Sequence, residues 1–260
     1  NDSPDMGHNP DMGVASNLRQ RLILIAVFGF VVGAGGVVMA SLSNLDHDAP
    51  LLYILLQVKT GWIWLGVGVF ACWRRPDNQF GTWLVITSFI WLGQFLAWSN
   101  SSLVFTCGLV VSSLFPVALV ETMVRFPTGR IESEIDRWVM RTVIGVAALL
   151  LVSLFFTDPT RLGYENAPNN LLLIVNDSTV TTVLYIVANA AAVVLTLILI
   201  RSFIGKYSNA SPPMRRLLGP VLWTSTVLLA LLGASSVFSL ASLDAPEDIV
   251  GILAALTAMW

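Results

Sequence analysis

The sequence predicts an all-α polytopic membrane protein, a bundle of about eight transmembrane helices with the last one truncated. Three observations predict it. Hydrophobic residues make up 55% of the 260 positions and charged residues 12%, and the mean hydropathy is +0.76, values outside the usual range for a soluble globular domain. Long apolar runs alternate with short polar gaps, and each full run has about the 17 to 25 residues a helix needs to cross roughly 30 Å of hydrocarbon. Cations cluster in every second gap.

Residues 1–20 are polar, carry Pro-Asp-Met-Gly twice and lack apolar periodicity, so they read as a disordered cytoplasmic tail. Residues 21–260 form the membrane region, with spans at about 22–42, 51–73, 82–98, 103–124, 139–157, 178–200 and 220–242 and a shortened one at 249–260. Arg19 and Arg21 before the first run resemble the start of a signal peptide. That run exceeds the roughly 7 to 15 apolar residues of such peptides and no small-x-small site follows, which makes it a retained helix. Its Gly29 and Gly33 share one face and permit close packing, either between copies or within the bundle.

Arg74 and Arg75 end the second span with charges suited to its C-terminal dipole, and Pro76, Asp77 and Asn78 turn the chain. Phe126, Pro127, Thr128, Gly129 and Arg130 stop the fourth span. Residues 131–138 then read as a short amphipathic segment with Glu132, Glu134 and Asp136 on its wet side. In the long gap 158–177, residues 171–175 either dock on the bundle or dip into the interface. Ser211, Pro212, Pro213, Met214, Arg215 and Arg216 make another basic turn before the seventh span. The final apolar run is too short to cross a bilayer. Its completed helix is expected to emerge in the cytoplasm, with further sequence beyond it.

Of 14 Lys and Arg, twelve lie in alternate gaps: Arg19, Arg21, Arg74, Arg75, Arg125, Arg130, Arg137, Arg141, Arg201, Lys206, Arg215 and Arg216. The positive-inside rule makes those gaps, and the N-terminus, cytoplasmic. Asp46, Asp48, Asp158, Glu165, Asp177, Asp244, Glu247 and Asp248 occupy the opposite gaps, with Arg161 their only cation. Nucleic-acid binding finds no support in this pattern. Cys72 and Cys107 lie at opposed depths, so they read as small apolar fillers and not as a disulfide.

The cytoplasmic turns together, Arg74-Arg75-Pro76-Asp77-Asn78 with Gly81, then Phe126-Pro127-Thr128-Gly129-Arg130, then Pro212 with Arg215 and Arg216, resemble the sensory region of bacterial multi-span sensor histidine kinases of the nitrate/nitrite-responding family. The resemblance covers about 74–221. It implies a homodimeric input module in the bacterial cytoplasmic (inner) membrane, part of a two-component phosphorelay. Cytoplasmic dimerisation and ATP-binding domains would follow it and phosphorylate a cognate response regulator. ATP and Mg belong to those domains. This chain is expected to need no cofactor or metal and to have no catalytic residue, since His8 and His47 are its only histidines and neither lies in a cytoplasmic helix.

Polar residues inside spans are the candidates for signal recognition, because desolvating a charge near a helix centre costs at least about 2.5 to 3.5 kcal/mol. Lys59, beside Gln57, either recognises an anionic or headgroup signal or snorkels to the outer interface. Glu121 stands four residues before Arg125, as an ion pair on one helix requires. Gln94 and Asn189 carry amides that need partners in hydrocarbon, from neighbouring helices or from a ligand. Most of the nine tryptophans lie near span ends as an aromatic belt. Trp91 does not, and with Trp64 it could line an apolar cavity. Ala188, Ala192, Gly233, Ser235 and Ser239 have the small-residue spacing of packed or sliding helices.

Three functions compete: the signal-sensing module, a transporter or channel fragment, and a non-catalytic membrane assembly subunit whose helices pack against a partner protein. The spans lack the paired charges and broken helices common at transport sites; Pro116 is a single interruption. The short outer gaps exclude a large folded external sensor, which leaves the bundle or its outer rim to detect the signal.

Overall fold

A computed structural model describes the backbone of residues 10–44, 51–131, 133–159 and 166–209, with isolated positions between 211 and 234. Among these residues the chain forms six α-helices and one 3-10 segment: α1 Pro10–Ser41, α2 Leu51–Arg74, α3 Gln79–Gly93, the 3-10 segment Gln94–Trp98, α4 Ser102–Arg125, α5 Glu134–Ser153 and α6 Ser178–Asn209. Five stretches are long and apolar enough to cross a membrane: Asn17–Ser41, Leu51–Arg74, Gln79–Trp98, Ser102–Arg125 and Ser178–Ser208. The fold is therefore a polytopic α-helical bundle with five such helices among the described residues, fewer than the eight expected.

Three of the expected spans make up the difference. The fifth run was expected to span at 139–157, but α5 starts earlier, in the charged turn of Glu134, Asp136, Arg137 and Arg141, and stops at Ser153. Its apolar part is correspondingly short. The seventh run, 220–242, is described only at scattered positions, and 249–260 lies outside the described residues. At the other end, α1 is helical from Pro10, within the segment expected to be a disordered tail. Residues 1–9 lie outside the described residues.

The amphipathic segment at 131–138 is not a separate surface element. From Glu134 it is the first part of α5, begun by Ser133, whose hydroxyl accepts from the Asp136 backbone N–H at 2.9 Å. Acidic side chains in that first turn also suit the helix dipole. Asp136 consequently faces inward, 2% exposed, and not the wet side expected for it.

Each helix packs on the next in sequence, and α1 also returns against α3 and the 3-10 segment. One core joins α4, α5 and α6 through Val120, Val124, Val143, Leu199 and Phe203. A second joins α1, α2 and the α3 end through Ala40, Ile54, Val58, Leu92 and Phe95. Leu24, Phe28, Val31, Leu197 and Ile204 are exposed, as lipid-facing residues should be, because lipid tails are as apolar as the core.

Buried hydroxyls tie the helices together where no water is available. Thr87 of α3 donates to the Ala118 carbonyl of α4 at 2.9 Å and so accepts from the Thr122 hydroxyl at 2.7 Å. Ser88 donates to the Gly61 carbonyl of α2 at 2.8 Å. Residues 171–175 dock on the bundle: Leu171 N–H donates to Thr106 of α4 at 3.0 Å, and Ile174 N–H to the Phe155 carbonyl at 2.9 Å. Asn170, buried beneath them, donates to the Leu154 carbonyl at 2.7 Å.

Candidate functional site

Two features stand out: a charged cluster at the end of the bundle that carries the arginines, and an apolar cavity between the same helices. The cluster is built on three helix ends. At the close of α4, Glu121 is buried and accepts from Arg125 Nε at 2.6 Å. Arg125 also donates to Gln79 Oε1 at 2.5 Å and to the Gly129 carbonyl at 3.3 Å, and its guanidinium lies 5.5 Å from the centre of the Trp83 ring. One arginine therefore joins α3, α4 and the turn after α4. Asn78 completes this joint. Its side chain caps α3 at Phe80 N–H and donates to the Pro127 carbonyl at 3.1 Å. Gly129 sits against it with φ of +80°, a conformation that favours glycine.

The second part of the cluster reaches α5 and α6. Lys206 Nζ lies 3.6 Å from the Asp136 carboxylate and donates to the carbonyls of Val124 at 3.0 Å and Phe126 at 3.5 Å. These carbonyls end α4, where a helix leaves acceptors unpaired. An ammonium, a compact charge with three donors, can satisfy them and the carboxylate together. Ser202, one turn before Lys206, donates to Asp136 at 3.4 Å.

Deeper in the bundle, α4, α5, α6 and Leu229 line a half-open cavity of about 300 Å³. Phe115, Pro116, Leu119, Val143 and Leu199 give it apolar walls, and Tyr185, Asn189 and Thr196 add polar edges. Its size is at the lower end of the roughly 300 to 1,000 Å³ typical of small-molecule pockets. The Asn189 amide is held by its own helix, with Nδ2 donating to the Tyr185 carbonyl at 2.9 Å. Ala188 and Ala192 form the α6 side of the cavity, and Gly233 lies against Thr196. Ser235 and Ser239 lie outside the described residues.

The other sequence candidates gather elsewhere. Trp64, Trp91 and Phe115 make a cluster of rings with centroids 5.0 to 6.3 Å apart. Gln57 meets this cluster through its backbone, whose carbonyl accepts from Trp91 Nε1 at 2.8 Å. Among the described residues three buried side-chain atoms have no protein partner: Gln57 Oε1, Gln94 Nε2 and, against Gly33 of α1, Trp62 Nε1. Lys59 is exposed on α2 and does not join them. Gly29 and Gly33 face α2 and α3, close to Leu65, Phe89 and Trp62, so their close packing is within the chain.

Sequence reasoning missed the pairing of Asp136 with Lys206. The available signal was slight: Lys206 is the one lysine among the twelve cations of the basic gaps, and Ser133 precedes Asp136 by three residues, as a capping side chain does. Both cysteines are free, as the opposed depths implied. Among the described residues no group of His, Cys, Asp or Glu is arranged to hold a metal ion. No protein-family model, curated protein or solved structure matches the chain. Helix length, apolarity and packing identify it as a multi-span, mostly α-helical membrane protein.

Proposed function

We propose that this chain is the membrane-embedded input module of a bacterial two-component sensor histidine kinase, of the multi-span type that its cytoplasmic turns resemble. One observation carries the reading: Lys206 joins the end of α6 to the start of α5 and the end of α4, directly below a cavity lined by those three helices. A signal that favours one spacing of the cavity walls shifts the helix ends by as much as its affinity differs between the two arrangements. The ends that move are those on the arginine-bearing side, which the positive-inside rule assigns to the cytoplasm, where a kinase would read them. In this reading the protein resides in the bacterial cytoplasmic membrane and works as a homodimer. Its dimer contact lies away from Gly29 and Gly33, because α2 already covers that face of α1.

The test is a chimera in which residues 1–260 precede the dimerisation and ATP-binding domains of a bacterial histidine kinase, reconstituted in liposomes. Lys206→Met is expected to change the autophosphorylation rate at least about threefold, while Arg201→Gln, on the same helix but exposed, leaves it within about a factor of two, since surface substitutions away from buried partners cost little. Equal rates for wild type and Lys206→Met would reject the role. So would solute flux through liposomes holding the chain alone, which would favour the transporter.

A further inference from the structure

At the basic end of the bundle α1 and α2 separate. Nearer the middle, α1 approaches α2 closely at Gly29 against Leu65 and at Gly33 against Trp62. Toward the arginines the two helices leave a cleft of about 1020 Å³ between them, lined by Arg19, Leu22, Ile23, Ala26, Gly66 and Phe70 among others. Gly66 forms open floor: nothing lies within 4 Å of where its side chain would begin. Two cations frame the mouth. Arg19 lines it directly, and the Arg74 guanidinium lies 5.6 Å from the Phe70 ring centre and 5.8 Å from that of Trp73, both cleft residues. No Asp or Glu is among the described residues that line it.

We infer that this cleft is a binding site for an anionic phospholipid of the leaflet at the basic end. The volume is at the top of the small-molecule range of roughly 300 to 1,000 Å³, which suits acyl chains laid along Ile23, Ala26, Gly66 and Val69. The walls are apolar along the depth of the membrane and end in cations at headgroup level, the pattern of a basic pocket between helices that takes an anionic headgroup. Arginine suits the phosphate because its planar fork can donate to two oxygens at once. The aromatic rings beneath Arg74 hold its guanidinium at the mouth by cation-π attraction. A zwitterionic lipid fits the same walls but lacks the net charge that the two arginines select. The site is independent of the signalling role and stands if that role fails.

Native mass spectrometry of the purified chain tests it, with equal amounts of phosphatidylglycerol and phosphatidylcholine offered in detergent. Wild type is expected to retain phosphatidylglycerol over phosphatidylcholine on the order of tenfold, from two basic residues near the headgroup. The double variant Arg19→Gln/Arg74→Gln loses that preference, the control Arg130→Gln/Arg201→Gln keeps it, and Gly66→Leu, which fills the floor, lowers retention of both lipids. Equal retention by wild type, or an unchanged preference in Arg19→Gln/Arg74→Gln, overturns the assignment. A dimer that holds no phosphatidylglycerol where the monomer holds it, in the same spectra, would mean that a second copy closes the cleft and overturns the assignment as well. Should the double variant fail to fold, as judged by size exclusion, the wild-type competition and Gly66→Leu still decide.

Discussion

Lys206 of α6 and Asp136 of α5 approach to 3.6 Å at the basic end of the bundle, the lysine side chain 26% exposed and the aspartate 3%. The pair is more than a surface contact, because the ammonium also serves two carbonyls that α4 leaves open. Removing one partner of a buried pair strands the other, at a cost of about 3 to 5 kcal/mol. With a quarter of the lysine exposed, Lys206→Met is expected near the lower end, seen as a thermal midpoint several degrees lower in detergent. The double variant Asp136→Asn/Lys206→Met should recover part of the loss. A midpoint for Lys206→Met equal to wild type would show that the pair holds nothing.

Two glycines separate close approach from helix propensity. Gly108 of α4 lies against the backbone of Ala97, where an added side chain would overlap main-chain atoms that cannot swing away. Gly145 of α5 faces open space. Gly108→Ala should therefore destabilise by about 1 to 3 kcal/mol, the usual range for overpacking, whereas Gly145→Ala should leave the thermal midpoint unchanged or raised. The reverse order would mean that α4 and the 3-10 segment are not in contact.

Trp62 and Trp91 both bury an indole, but only Trp91 has a partner for its N–H, the Gln57 carbonyl at 2.8 Å. The substitution Trp→Phe removes the same atoms at each position. Trp91→Phe is expected to cost about 1 kcal/mol more than Trp62→Phe, the worth of a typical net hydrogen bond. Matched thermal midpoints for the two variants would contradict the bond.

Thr87 and Ser88 place their hydroxyls on α4 and α2 respectively. Thr87→Val and Ser88→Ala keep the helix but delete these links. Interhelical bonds in membranes average about 0.6 kcal/mol and reach about 1.7. Thr87→Val is expected above that average, because its hydroxyl meets both the Ala118 carbonyl and Thr122. Chemical unfolding in mixed micelles measures both, and no loss in either would remove hydroxyl bonding from the account of the bundle.

Sidedness is open to direct labelling. Single cysteines at Asp77, Arg130 and Ser208 should react from one face of intact cells or inverted vesicles, and cysteines at Asn44, Asn100 and Asn176 from the other. The first set lies at the arginine-bearing ends of α2, α4 and α6 and the second at the opposite ends. An impermeant thiol reagent added outside cells should spare Asp77→Cys. Reaction there would invert the orientation.

Run length and the placement of cations made the membrane class and the order of helices legible in the sequence, because both are one-dimensional: a bilayer sets how many apolar residues a crossing needs. The turn at Asn78 and the stop near Phe126 were equally legible, since Pro, Asn and Gly act locally. The Glu121 and Arg125 pair followed from helical spacing alone. Asp136 shows where this ended. Whether its carboxylate faces water or α6 depends on the angle at which α5 leaves the turn, and that angle is set by Ser133 and by packing against residues 66 positions and more away. The cavity beside Pro116 and the cleft beside Arg19 likewise exist only between helices. The chain's own pattern determined that it enters a membrane and in what order. Its packing decided which polar groups meet there, because those contacts depend on the distance and rotation between helices, which no single span contains.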